Sequence, residues 1–324
     1  MPPDPLALKA LYDERYRGEY MDRDCYGTWS RRDAGLLKVK EILRRVPGNH
    51  SAILDYGCGQ GGWIDLLSGM SPEARICGVD ISEVAITKAR ERFPFHEFSS
   101  FDGGRAPFPD GSFDLVFSYH VLEHVADVEA SVAEIGRLVR PGGHACIIFP
   151  CGNRGSFEER IIRMMKGGKE PTADGGTVFF YETGDGHLRR MTTDQTAVLF
   201  KGNGFSLVCA WHSGQFLGAV DWLCRASGPG YIRNVFFGRA PVSRRAGVVI
   251  RAAAAVFLGV NWIVRKKSLD LSKKRSLPKQ AAVVAARYGA GAVDWLVAVL
   301  SQLEWRLCRG WSNGSAQYLV FKKV

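Results

Sequence analysis

No Cys-x-x-Cys pair occurs anywhere in the chain, although it holds eight cysteines, at 25, 58, 77, 146, 151, 209, 224 and 308. That scatter excludes a zinc ribbon and a thioredoxin-like motif, and predicts reduced, mostly buried thiols in a cytosolic compartment. An apolar leader segment is also missing. The first residues, "MPPDPLALKALYDERYRGEY", mix acids with bases, so the sequence predicts a cytoplasmic protein. Uncharged apolar runs of membrane-spanning length are lacking too: residues 246–264 carry Arg251 and Asn261, and residues 281–300 carry Arg287 and Asp294. No RNA-binding module with aromatic platforms on strands is recognisable, which argues against nucleic acid as a partner. What is present, 46% hydrophobic and 23% charged residues over 324 positions, suits one large α/β domain with or without an appendage and excludes global disorder.

Along the chain, strand patterns alternate with helical ones. "AGLLKVKEILRRV" (34–46) has an apolar stripe at helical spacing and stops at Pro47-Gly48. "SAILDYG" then reads as a strand turning sharply through glycines into the helix "WIDLLSGM". "ARICGVDIS" reads as a second strand ending in Asp80, followed by the helix "EVAITKARERF" with Ser82 as its N-cap. "FHEFSSFD", "FDLVFSYH" and "HACIIFP" are further strands, the last two separated by the helical "VEASVAEIGRLVR" and the turn "PGG". This alternation predicts a doubly wound, mainly parallel sheet.

The ligand of such a sheet sits outside the carboxyl ends of the first strands. Gly57, Gly59 and Gly62 satisfy G-x-G-x-x-G, the dinucleotide fingerprint. Asp55, two residues before the first glycine, would repel a pyrophosphate. It suits instead a nucleoside ligand carrying an ammonium and a sulfonium, as S-adenosylmethionine does. Asp80 can take ribose hydroxyls in either case and does not discriminate.

Four stretches in order, "LDYGCGQG", "GVDIS", "FDGGRAPFPDGSFDLVFSYHVLEHV" and "RLVRPGGHACIIFP", resemble the successive motifs of the class I S-adenosylmethionine-dependent methyltransferases of the type 11 group, over roughly residues 35 to 215. The resemblance implies S-adenosylmethionine as cofactor and a Rossmann-like sheet of seven strands with an antiparallel last strand. By position it implies that Asp55, Gly57, Cys58, Gly59 and Gly61 line the methionine end. Asp80 with Ile81 would hold the ribose and one adenine face, and Asp102 with Gly103 would contact the adenine amino group. Tyr119 and His120 would face the sulfonium. Catalytic candidates for proton removal are His120, His124 and His187, with Glu123 beside them. On a helix, His120 and His124 would share a face. Some quinone O-methyltransferases that resemble this stretch bind a divalent cation through Glu-x-x-Glu-His, but His120 replaces the first Glu, so no metal is assigned. His187 belongs to "GHLRRMTTDQTAVLFKGNGFSLV", which is similar to the family's segment between strands five and six; capping of the helix that begins at Thr192 or Thr193 is its alternative role.

Residues 151–191 are too long for a simple connection and read as a lid or acceptor-binding loop, with Arg160, Arg163, Lys166 and Lys169 as phosphate contacts or a solvated face. Residues 1–34 read as a helical lid whose Tyr12, Tyr16 and Tyr20 suit closure over the cofactor or ordinary packing. "GFSLVCAWH" and "AQYLVFKKV" read as strands six and seven, separated by a helical insertion, 215–315, that leaves 35–214 and 316–324 as the core. The insertion holds 16 Lys or Arg against 4 acids, a net +12, and five of the eight tryptophans; the rest of the chain has 27 bases against 29 acids. Such a composition suits helices lying in the interface of an anionic membrane, the alternative being a buried subdomain that forms the acceptor pocket or a dimer interface. The sequence thus predicts a methyltransferase, cytoplasmic or peripheral on the inner face of the cytoplasmic membrane. Its acceptor would be a polyprenyl-linked glycan, a lipid or an isoprenoid quinone, taken at oxygen. Alternatives are a soluble small-molecule acceptor, such as a sugar nucleotide or secondary metabolite, and a non-catalytic S-adenosylmethionine-binding scaffold.

Overall fold

The structure, a computed structural model, describes residues 4–18, 34–163, 169–172, 176–179, 182, 186–219, 296 and 299–324. After α1 (Pro5–Arg17) and α2 (Ala34–Leu43) comes the alternation β1 (Ala52–Tyr56), α3 (Ile64–Met70), β2 (Arg75–Asp80), α4 (Glu83–Arg92), β3 (Glu97–Ser100), β4 (Phe113–Tyr119), α5 (Val128–Leu138) and β5 (Val139–Pro150). Then follow α6 (Phe157–Arg163), a small hairpin of β6 (Lys169–Pro171) and β7 (Thr177–Phe179), α7 (Thr193–Gly202), β8 (Phe205–Ser213) and β9 (Ala316–Lys323).

The main sheet has seven strands in the order β3-β2-β1-β4-β5-β9-β8. All pairings from β3 to β5 are parallel, and β9 runs antiparallel to both of its neighbours. This is the Rossmann-like architecture the sequence predicts, with the chain's last strand as the antiparallel one. Order reverses between β1 and β4, so the cleft opens beyond the carboxyl ends of those strands.

Period-two alternation along the strands supplies two core layers. Ile53, Ile76, Leu115, Phe117, Cys146 and Ile148 pack on one face with α2, α3 and α4, whereas Leu54, Cys77, Val79, Val116, Ile147 and Phe149 pack on the other with α5 and α7. The helices start where the sequence supplies caps. Ser82 accepts from the Ala85 amide, Asp127 from Ala130, and Thr192 and Gln195 form a reciprocal capping box at α7. The expected "PGG" turn lies inside β5, where Arg140–Gly143 bulge out between the Phe113–Val139 and Leu115–His144 pairs.

Residues 299–308 are helical, and Trp305 among them is buried in the first core layer. Its indole Nε1 donates to Glu41 on α2 at 3.1 Å, and its ring meets Trp211 edge-on at 5.6 Å. This end of the predicted insertion is therefore packed against the sheet. Residues 220–295, with nearly all of the insertion's charge and its apolar run 246–264, lie outside the described residues; so does Tyr20. Among the described residues no helix is long and apolar enough to cross a membrane.

Candidate active site

β1 ends at Tyr56, and the chain must reverse before α3 begins at Ile64. Gly57, Gly59 and Gly61 make the reversal with φ of +80°, +52° and +82°, while Gly62 is not left-handed. The observed pattern is G-x-G-x-G, although the letters also spell G-x-G-x-x-G. A Cβ at Gly57 would collide with a methyl of Val121, so the loop is confined by bulk as well as by φ. The Gly57 and Cys58 amides both donate to the Val79 carbonyl, which fixes the loop to the end of β2.

Two carboxyls converge on this loop. Asp55 is 1% exposed and its Oδ2 has no hydrogen-bonding partner among the described residues. Burial, with the charge of Asp80 added, pushes it up to about 8. Asp80 accepts from the Gly59 amide at 2.8 Å and the Ser82 amide at 2.9 Å, and burial raises it to about 6 despite those bonds. A ligand bringing positive charge to Asp55 would relieve its desolvation, and Asp80 keeps lone pairs for hydroxyl donors. The residues fit a sulfonium nucleoside with an ammonium group. Cys58 is buried inside the loop, with its thiol pushed well up by burial and the two aspartates, which keeps it unreactive.

Ile81 is half-buried beyond Asp80. Asp102 and Gly103 follow β3 one strand further out; Asp102 is exposed and its Oδ1 accepts from the Gly104 amide at 2.9 Å. Helix α1 lies across the loop. Asp13 accepts from the Ser82 hydroxyl at 2.6 Å, Lys88 donates to the Tyr16 carbonyl at 2.6 Å, and a Cβ at Gly59 would meet the Tyr16 hydroxyl at 2.5 Å.

At the end of β4, Tyr119 packs between Trp63 and His120, with ring centroids at 4.6 and 4.5 Å. His120 is the sole non-glycine residue with positive φ among the described residues, at +56°. A β-strand end strained at a polar side chain beside the cleft is a functional signature. Its Nδ1 lies 2.8 Å from Glu123 Oε1, and Glu123 is fully buried. Residues 120–126 are turns and bends, so His120 and His124 do not share a helical face. His124 turns instead to His187, with ring centroids at 4.7 Å, and its Nδ1 is 3.1 Å from the Gly186 carbonyl. Burial holds His124 down at about 4 against the attraction of Glu123. Glu123 is held at about 2, the charges of His120 and His124 outweighing its desolvation.

His187 reaches this cluster because its segment is locked to the turn after β4. The Leu188 amide donates to the Glu123 carbonyl at 2.8 Å, and the Arg189 guanidinium donates to the carbonyls of Leu122, Val125 and Ala126. Arg190 joins Glu182 at 2.7 Å and Glu158 at 2.9 Å in a buried network and donates to the Cys151 and Ser315 carbonyls. Arg189, Arg190 and Glu182 were not among the sequence-predicted site residues. No local pattern signals their burial, because the acidic partners lie 8 and 32 residues from Arg190. Of the predicted phosphate contacts, Lys169 pairs with Glu159 at 2.9 Å, Arg160 is exposed, and Lys166 lies outside the described residues.

Residues 54–147 match the family model described as "Methyltransferase domain". That span contains the glycine loop, both aspartates and the His120–Glu123 pair. Residues 54–147 are a class I S-adenosylmethionine-dependent methyltransferase domain. Relatives of this domain include a trans-aconitate 2-methyltransferase of Variovorax paradoxus, 34% identical over 39% of this chain and 49% of its own length. A demethylmenaquinone methyltransferase of Symbiobacterium thermophilum is 36% identical over 36% of this chain and 47% of its own. The chain spans about half the length of the curated relatives it matches. Among solved structures, that of the [4+2]-cyclase SpnF superposes with a TM-score of 0.52 at 15% identity, covering 99% of this chain and 97% of that one. It shares the fold with the methyltransferase domain; at that identity nothing further follows.

Proposed function

We propose that the whole chain transfers the methyl group of S-adenosylmethionine to an oxygen of a membrane-associated or lipid-linked acceptor. The bound cofactor supplies an electrophilic methyl group. The chain's residues supply alignment, exclusion of water and a place for the acceptor's proton. Asp55 takes the ammonium, Asp80 the ribose hydroxyls, and the left-handed glycines let the backbone approach both. Helix α1, tied to α4 through Asp13 and Lys88, covers the cofactor and keeps water out. His120 is the proton acceptor: with Nδ1–H donating to Glu123, its Nε2 is free to accept, and its side chain is 30% exposed. His124, held down at about 4, is too weak a base for this work at neutral pH.

The observation that supports the acceptor class is the partition of charge, net +12 within 215–315 and a slight acid excess elsewhere. The test is incubation of the purified chain and radiolabelled S-adenosylmethionine with separated membrane and soluble extracts. Label in the organic-extractable membrane fraction is expected. Label in soluble small molecules alone would overturn the lipid reading and favour a soluble acceptor, the class to which the relative named for trans-aconitate points. Binding of the cofactor with no transfer to either extract would favour a scaffold.

A further inference from the structure

We propose that Glu123, His124 and His187 form a binding site for a divalent first-row transition cation of the zinc class. One ligand atom from each of the three residues lies within 4.8 Å of the other two, and Glu123 Oε1 stands 3.8 Å from His124 Nε2. Ligand atoms bound about 2.0–2.2 Å from one ion are separated by about 3–4 Å, so small rotamer adjustments close the site.

The surroundings of the three ligands set each for metal. The Gly186 carbonyl takes the Nδ1 side of His124, and Glu182 Oε1 lies 3.3 Å from His187 Nδ1. The His124 imidazole thus keeps its proton on Nδ1 and its lone pair on Nε2, the outer-shell arrangement that orients histidines in metal sites, while the Glu182 carboxylate flanks the His187 ring. Glu123 is fully buried, with Oε1 held by His120 and Oε2 without a hydrogen-bonding partner among the described residues. A buried carboxylate oxygen left unpaired is costly unless a ligand reaches it.

The two segments that carry the ligands are joined independently of any ion. The Leu188 amide on the Glu123 carbonyl and the Arg189 guanidinium on three carbonyls of the 122–126 turn hold the donors in place. The site is therefore preformed. Two imidazoles and one carboxylate suit Zn²⁺, Mn²⁺, Fe²⁺ or Co²⁺, and three protein ligands leave a coordination position open. Tyr12 of α1 lies edge-on to His124 at 5.9 Å, which places the cluster under the same helix that covers the glycine loop. The inference concerns the cation alone and does not depend on which acceptor is methylated.

The test is titration of the untagged full-length chain, freed of metal by chelator, with Co²⁺ followed by visible absorption. One equivalent is expected to give d–d bands of a nitrogen and oxygen site without sulfur-to-cobalt charge transfer, and to raise the melting temperature. His187→Gln and, separately, His124→Gln should weaken binding at least 100-fold, while His144→Gln, on β5 outside the cluster, leaves it unchanged. Circular dichroism identifies any variant that fails to fold, in which case the other decides. No stoichiometric binding by the wild-type chain, thiolate charge-transfer bands, or undiminished binding in a folded His187→Gln or His124→Gln variant overturns the proposal.

Discussion

Replacing Asp55 by Asn probes the cleft through a property that only a buried carboxyl has. In the cofactor-free protein Asp55 titrates near 8, against about 3.9 for an exposed aspartate. At pH 7 the folded chain keeps this proton and the unfolded chain does not. The gap of about three pH units, at roughly 1.4 kcal/mol each, makes the fold on the order of 4 kcal/mol less stable than in acid on account of this group. The contribution is fully present below about pH 4 and is lost as pH rises towards 8. Asp80, raised to about 6, adds a second and shorter window between about 4 and 6. The Asp55→Asn substitution removes the longer window only, so denaturant unfolding at successive pH values should lose its decline between 6 and 8 and keep the one below 6. Cofactor binding supplies the second readout. An ammonium beside Asp55 favours its charged form, so binding at pH 7 should expel close to one proton, counted by calorimetry in buffers of different ionisation heat. The Asp55→Asn variant should expel none and bind about 10- to 100-fold more weakly, the effect of losing about 1.5–3 kcal/mol from a hydrogen bond to a charged group. Proton-neutral binding by the wild type, or undiminished affinity in the variant, refutes the placement of the ammonium at Asp55.

Three further substitutions separate chemistry from architecture. His120→Asn, a residue that tolerates the left-handed backbone there, should leave cofactor affinity within about threefold and lower turnover about 10²- to 10⁴-fold; an unchanged kcat would remove His120 from proton transfer. Arg190→Met strands Glu182 and Glu158 in the interior, and urea unfolding should register a loss of about 3–5 kcal/mol; a loss under about 1 kcal/mol would show that the network does not anchor the 151–191 segment. Trp305→Ala should cost about 3–5 kcal/mol by the same assay, whereas a peripheral insertion helix would tolerate it nearly neutrally.

The strands were legible because a parallel strand buried on both faces reads as a bounded apolar run, as "AILDY" and "CIIFP" do. β8 and β9 are legible as the last two strands across about 100 intervening residues because the resemblance implies an antiparallel last strand, and the two pair from Phe205–Lys323 to Ser213–Ala316. The glycine loop was legible only in part. Its letters fit two patterns, and the backbone separates them: left-handed φ at 57, 59 and 61 but not at 62. The histidine cluster was the least legible. Spacing paired His120 with His124, whereas tertiary contacts pair His124 with His187 and place a buried Glu123 between them. No local pattern announces that a charged residue within "HVLEHV" is fully buried, or that its neighbours arrive from a segment more than 60 positions away.

This difference in legibility follows from what fixes each part. The cofactor side is dictated locally, because a reversal after β1 needs left-handed backbone and the carboxyl needs to end a strand; a short string of letters suffices. The described residues of 151–191 are held instead by contacts across long separations, Arg190 on Glu158 and Glu182 and Arg189 on the carbonyls after β4. Such a network can be redrawn with different residues without disturbing the glycine loop. Identity to the two relatives named above accordingly covers only 36–39% of this chain, and the family match spans 54–147, short of Glu182, His187 and the Arg pair. On the proposed function, acceptor specificity is to be sought outside the family match, in 151–191 and in the basic 215–315.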